Sequence, residues 1–183
     1  MSTPHVLNYR GSAGLDDMNA FNARTSVGWK GDTLFRVYLT DSQAYFIKVG
    51  GAKNSNQAMA FQFGLLGALI VYFLNKRNKQ KTLQRLNEVA GVSPEQLLAQ
   101  DKVNQVIPLN GFAEVALRPR SFWKSAPFGA WAFRDARGKK RVYTFDDAEN
   151  FQIASRRLSD AFGARLTVNA QWDAQNGKVI KIE

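Results

Sequence analysis

Seventeen consecutive positions, Ala58 to Leu74 (AMAFQFGLLGALIVYFL), hold one clearly polar side chain, Gln62, and run straight into the basic tail NKRNKQK, Asn75 to Lys81. Apolar residues occupy every face of a helix drawn over this run. Such a helix must be buried in protein, in lipid or against a copy of itself. It would be ~25 Å long, against ~30 Å of bilayer hydrocarbon. Lys76, Arg77, Lys79 and Lys81 follow it as cytoplasmic anchors follow a spanning helix. Gly64, Gly67 and Ala68 line one side with small residues, which permits close helix–helix contact. The candidate membrane or oligomer contacts are Phe61, Phe63, Gly64, Leu65, Gly67, Leu69 and Tyr72.

Topology limits these options. The stretches on both sides of the run read as strands. If they share one sheet, both helix ends lie on the same side of any bilayer, and a single crossing would separate them. The run is then a helix laid on the sheet, an in-plane or re-entrant membrane element, or the seam of an oligomer.

The formal charge of +10 is unevenly spread. Five basic residues and no acid lie between Asn75 and Arg85, and eight basic residues face the single acid Asp135 between Arg118 and Arg141. Within these stretches Lys76, Arg77, Lys79, Lys81, Arg137, Lys139, Lys140 and Arg141 are the candidate contacts to an anionic surface. The partners such patches attract are an anionic membrane surface, an acidic protein and, as a weaker expectation, nucleic acid. Trp123, Phe128, Trp131 and Phe133 among Arg118, Arg120, Lys124 and Arg134 have the interleaving of single-strand binders. On a strand, however, Trp131 and Phe133 share a face and read as core.

Little material for catalysis is present. There is no cysteine and one histidine, His5, which leaves almost nothing for a zinc site or a Ser-His-Asp triad. Gly50-Gly51-Ala52-Lys53 lacks the offsets and the Ser/Thr of a phosphate loop. Asp146, Asp147 and Glu149 sit where carboxylates cap a helix. The expectation is a protein that is not an enzyme and carries no cofactor. The amino-terminal stretch has no charged start followed by an apolar core, so the expected location is cytoplasmic, at most peripheral to the inner face of the membrane.

Along the chain, residues 1–30 show no sustained period and read as an arm, with residues 31–183 as the domain. TLFRVYLT and QAYFIKVG around Asp41-Ser42 read as a hairpin. A helical insert over 54–101 follows. Its second half carries the stripe Leu83, Leu86 and Val89 up to Gly91, then a short helix capped by Ser93 with Pro94 in its first turn. VNQVIPL leads through Asn110-Gly111 into FAEVALR. GAWAFRD and KKRVYTF flank the loop Asp135 to Gly138. Asp146 is placed to cap a helix reciprocally with Glu149, and Phe151, Ala154, Leu158, Ala161 and Phe162 form that helix's apolar face. A last hairpin turns at Asn176-Gly177.

This order resembles the pleckstrin-homology-like (PH-like) fold, with the likeness strongest to small bacterial PH-like domains. The stretches that carry it are Val106–Arg118, Gly129–Phe145, the helix Asp146–Gly163 and the opening hairpin Thr33–Gly51. The resemblance implies an α+β protein: a bent antiparallel sheet or barrel, a C-terminal capping helix and, here, a helical insert after the first hairpin. It also implies a binding or adaptor role. The family's phosphoinositide binders place basic residues around the loop of the first hairpin. In this reading that loop is the short acidic Asp41-Ser42, with Arg36 and Lys48 set back. The function expected is therefore a non-catalytic PH-like module that meets an anionic membrane surface or an acidic partner through its apolar helix and basic patches. A structural subunit assembled as a homo-oligomer through that helix is the alternative.

Overall fold

In Asp32–Leu39 (β2) and Gln43–Gly51 (β3), apolar residues fall at both odd and even positions, so each strand has two faces to bury. A computed structural model describes residues 20–26, 32–51, 76–119 and 127–182, and shows how both faces are covered. The protein is α+β. Its main sheet also contains Phe21–Ser26 (β1), Gln105–Pro108 (β4), Ala113–Arg118 (β5), Ala130–Arg134 (β6), Lys140–Thr144 (β7) and Thr167–Val168 (β8). The strand order is β4-β3-β2-β1-β7-β6-β5-β8, antiparallel except where β8 runs parallel to β5. Ala170–Asp173 (β9) and Lys178–Lys181 (β10) pair as a separate hairpin.

One face of the sheet holds the main core. Phe35, Val37, Phe46, Val115, Leu117, Trp131, Phe133 and Tyr143 meet there. Rings interlock at aromatic distances, Phe46 stacking on Trp131 at 5.7 Å and Phe112 tilting on Phe133 at 4.5 Å. The helix Ala148–Phe162 (α3) covers this face with Phe151, Ala154, Leu158 and Phe162. Ala161 is only partly buried. Gly163, at φ 49°, ends the helix as expected. Gly129, at φ 82°, opens β6, where an added Cβ would stand 2.7 Å from the Arg118 carbonyl oxygen.

The opposite face of β2 and β3 buries a second cluster, Leu34, Tyr38, Tyr45, Ile47 and Val49. Its cover is the insert. Residues 76–89 are helical (α1) and Pro94–Leu98 form α2. Val89 and Leu97 are fully buried against the strands, with Leu86, Val92 and Leu98 beside them. Burying one such aliphatic side chain is worth ~1.5–3 kcal/mol. Gly91, at φ 73°, follows α1, and the Ser93 side chain accepts from the Gln96 amide at the start of α2, both as the sequence predicts. Leu83 departs from the predicted stripe: it is 52 % exposed, because the helix face towards the sheet passes through Thr82 and Leu86 instead.

Four expectations are corrected. The arm assigned to residues 1–30 contains β1, which lies between β2 and β7 in the sheet. Only Phe21 and Ala23 supply its inward apolar positions, too few for a periodic signal. The first hairpin is therefore β1–β2, in register Phe21↔Val37 to Ser26↔Asp32, and Asp41-Ser42 turns the second. Asn110-Gly111 makes no hairpin. Leu109–Gly111 is a 3-10 turn, after which β5 pairs with β6 while β4 stays on β3. The cap of α3 is Asp147, accepting from the Asn150 amide at 2.8 Å, and Asp146 instead binds Arg24 of β1 through a 2.6 Å ion pair.

The strands before and after the apolar run thus belong to one sheet. The run itself, with Phe61, Phe63, Gly64, Leu65, Gly67, Leu69 and Tyr72, lies outside the described residues. Among the described residues no helix is long and apolar enough to cross a membrane.

Candidate anion-binding surface

The sequence KRNKQKTLQRLNEV places Asn78, Thr82, Arg85, Leu86 and Val89 on one side of α1, at helical spacings of three and four. That side faces the sheet, and these are its partly or fully buried residues. Lys76, Arg77, Lys79 and Lys81 fall on the other sides and are exposed. Among the described residues none of the four makes an ion pair.

Gly50 sets how closely α1 approaches β3. A Cβ there would stand 2.7 Å from Thr82 Oγ1 and 3.4 Å from Thr82 Cγ2, so the helix rests directly on the strand backbone. The β2–β3 register shifts beside this point, between Leu34 and Phe35. Bulges of this kind re-aim strand side chains. The other flank is tied down by the segment after α2. Lys48 donates its amide to Asn104 Oδ1 at 2.8 Å, and Asn104 donates to the Leu97 carbonyl at 2.7 Å.

Between these elements lies a groove of ≈ 290 Å³ lined by Lys48, Gly50, Gly51, Asn78, Lys81, Thr82, Arg85 and Asp101. Lys48 Nζ pairs with Asp101 Oδ2 at 3.1 Å. Arg85 reaches Glu88 at 3.1 Å and Gln100 at 2.8 Å. The Val103 amide and then the Lys48 ammonium hold the Asp101 carboxyl below the usual carboxylate range. Lys81 stands at the same groove with no acidic partner among the described residues. The sequence signalled Lys81 and Arg85 through their charge run. Lys48, Thr82 and the Gly50-Gly51 floor were not legible as site residues, because only the packing of α1 brings them together.

The second predicted patch sits on the β6–β7 turn. Arg137, Lys139 and Lys140 are exposed, while Arg141 is held by Asp135 at 3.1 Å. The register Arg24↔Thr144 makes β7 begin beyond the carboxyl end of β1. This turn therefore lies at the end of the sheet where β2 starts and β3 finishes. Both basic groups border that end.

Of the aromatic nucleic-acid platform, Arg120, Trp123 and Lys124 lie outside the described residues. Trp131 is 0 % and Phe133 1 % exposed, so neither offers a face to a base. Asp146 and Asp147 are engaged by Arg24 and by the start of α3, and no group of metal-ligating side chains occurs among the described residues. A larger groove of ≈ 500 Å³ runs between α3 and β9, lined by Ser155, Ser159, Val168, Trp172 and Ile182 with Arg156 as its only cation.

Comparisons with protein-family models, with curated proteins and with solved structures return no match for this chain.

Proposed function

We propose that this protein is a non-catalytic PH-like binding module that attaches to an anionic membrane surface through its insert. The PH-like reading is supported by the order of elements: two antiparallel meanders, β1 to β4 and β5 to β7, followed by a helix packed into the shared core. The acidic turn Asp41-Ser42 no longer counts against lipid contact, since it belongs to the second hairpin. The loop of the first hairpin, residues 27–31, lies outside the described residues.

One observation carries the functional reading. Lys76, Arg77, Lys79 and Lys81 are exposed and unpaired among the described residues, on a helix fastened to the sheet by Val89, Leu86 and the Gly50–Thr82 contact. Fixed in this way, the four cations meet an anionic plane without first losing the freedom of a mobile tail. Each contributes ~1 kcal/mol near an anionic bilayer, so four give ~4 kcal/mol, enough for reversible attachment. The exposed cations of the β6–β7 turn add to the same field.

The test is co-sedimentation with vesicles. With acidic lipid at low salt the protein pellets; with neutral lipid, or at high salt, it stays in the supernatant. Equal recovery in the supernatant under all conditions rules out the membrane role.

A further inference from the structure

We infer that the groove between β3 and α1 is a binding site for a single phosphomonoester group. This deepens the membrane reading above and rests on it for the lipid source alone. The groove is built by the insert, which lies outside the plan that the family resemblance covers.

Its charge fits a dianion. Lys48, Lys81 and Arg85 face Asp101 across one lining, an excess of two positive charges, with Arg85 shared by Glu88 just outside it. A phosphomonoester carries about −1.5 to −2 at neutral pH, whereas a phosphodiester carries only one charge. The hydrogen-bonding groups fit as well. Thr82 offers a hydroxyl and Asn78 an amide beside the cations. Arg85 is already oriented by Glu88 and Gln100. Lys81 is the ready charge. Lys48 is the reserve charge, released from Asp101 when the anion enters. Asp101 thus opposes the ligand: it neutralises one of the three cations while the groove is empty.

Phosphate in this site has two sources, a lipid headgroup or a free phosphate compound, and the experiment separates them. One arm titrates inorganic phosphate into the protein by calorimetry. The other compares retention on vesicles bearing a phosphomonoester lipid with retention on vesicles of equal surface charge bearing phosphodiester lipids only. The proteins are wild type, the double variant Lys81→Gln/Arg85→Gln, Thr82→Val and Asp101→Asn. The site predicts saturable phosphate binding, weakened at least tenfold in the double variant and several-fold in Thr82→Val. In Asp101→Asn it is strengthened several-fold, a gain that misfolding cannot mimic, since Asn still accepts the Val103 amide. Preference for monoester vesicles assigns the lipid source; phosphate binding without that preference assigns a free compound. Absence of phosphate heat together with equal retention on both vesicle types overturns the site and leaves the membrane reading standing. Failure to sediment with any vesicle, with phosphate heat that still depends on Lys81 and Arg85, overturns the membrane reading and leaves the groove.

Discussion

Replacing Gly50 by alanine probes the joint on which the candidate surface depends. The added methyl would stand 2.7 Å from Thr82 Oγ1, 3.4 Å from Thr82 Cγ2 and 3.6 Å from Leu34 Cβ. The first distance is well inside the ~3.5 Å at which such atoms come to rest. Rotating Thr82 offers little relief, because its hydroxyl and methyl both face the strand and a turn about χ1 exchanges one for the other. The helix must then retreat, and overpacking of this kind costs ~1–3 kcal/mol. Gly50 is not in the left-handed region, so alanine also recovers ~0.4–1 kcal/mol by restricting the unfolded chain. The net expectation for Gly50→Ala is a loss of ~1–2 kcal/mol. Thr82→Ala removes the obstructing atoms. Combined with Gly50→Ala it should restore stability to near that of Thr82→Ala alone, a coupling of ~1–2 kcal/mol. Urea unfolding of the four proteins measures the coupling, and amide exchange over residues 80–89 shows whether α1 loosens in the single variant. A neutral or stabilising Gly50→Ala, with no coupling to Thr82, refutes the close seating of α1 on β3.

Two further outcomes follow from contacts elsewhere. Arg24 grips Asp146 with two nitrogens, at 2.6 and 3.1 Å, and ties β1 to the start of α3; Arg24→Ala should cost ~1.5–3 kcal/mol in chemical unfolding, whereas a loss within error would make the pair decorative. Burial pushes the Tyr143 hydroxyl up to about 12, and the Glu95 carboxylate does the same for the Tyr45 hydroxyl, which donates to Gln43 Oε1 at 2.6 Å. A raised folded-state value favours the protonated native form, so this stabilisation is complete below pH ~10 and is lost as the pH climbs from ~10 towards ~12. Phenolate absorbance should show Tyr45 and Tyr143 titrating late, and Tyr45→Phe should flatten part of the alkaline loss of stability; all tyrosines titrating together near pH ~10 would contradict both assignments.

The elements legible in the sequence are those whose signals are local. Ser93-Pro94, Gly91 and the stripe Phe151, Ala154, Leu158 mark helix ends and a helix face by chemistry that neighbouring residues decide. The turns at Asp135–Gly138 and Asn176-Gly177 belong to the same class. What failed was partnership across the chain. Asn110-Gly111 has the composition of a hairpin turn, but tertiary pairing sends β4 and β5 to different neighbours. Asp146 and Asp147 are equivalent cap candidates until Arg24, 122 positions away, claims the first. β1 has two inward apolar residues and is held by strands on both sides, information its own composition does not contain. The site divides in the same way. The charge run Lys76–Arg85 was visible, while Lys48, Thr82 and Gly50 become neighbours of it only when Val89 and Leu97 bury themselves on the outer face of β3.

The central claim is that α1 is a fixed basic ledge and the principal contact to an anionic surface. Affinity for acidic vesicles in two neutralised proteins tests it directly: Lys76→Gln/Arg77→Gln/Lys79→Gln/Lys81→Gln against Arg137→Gln/Lys139→Gln/Lys140→Gln/Arg141→Gln. At ~1 kcal/mol per cation the first set should lose affinity by about three orders of magnitude, with its thermal unfolding unchanged, and the second by less, since Arg141 is held by Asp135. Equal affinity of wild type and the α1 variant contradicts the claim.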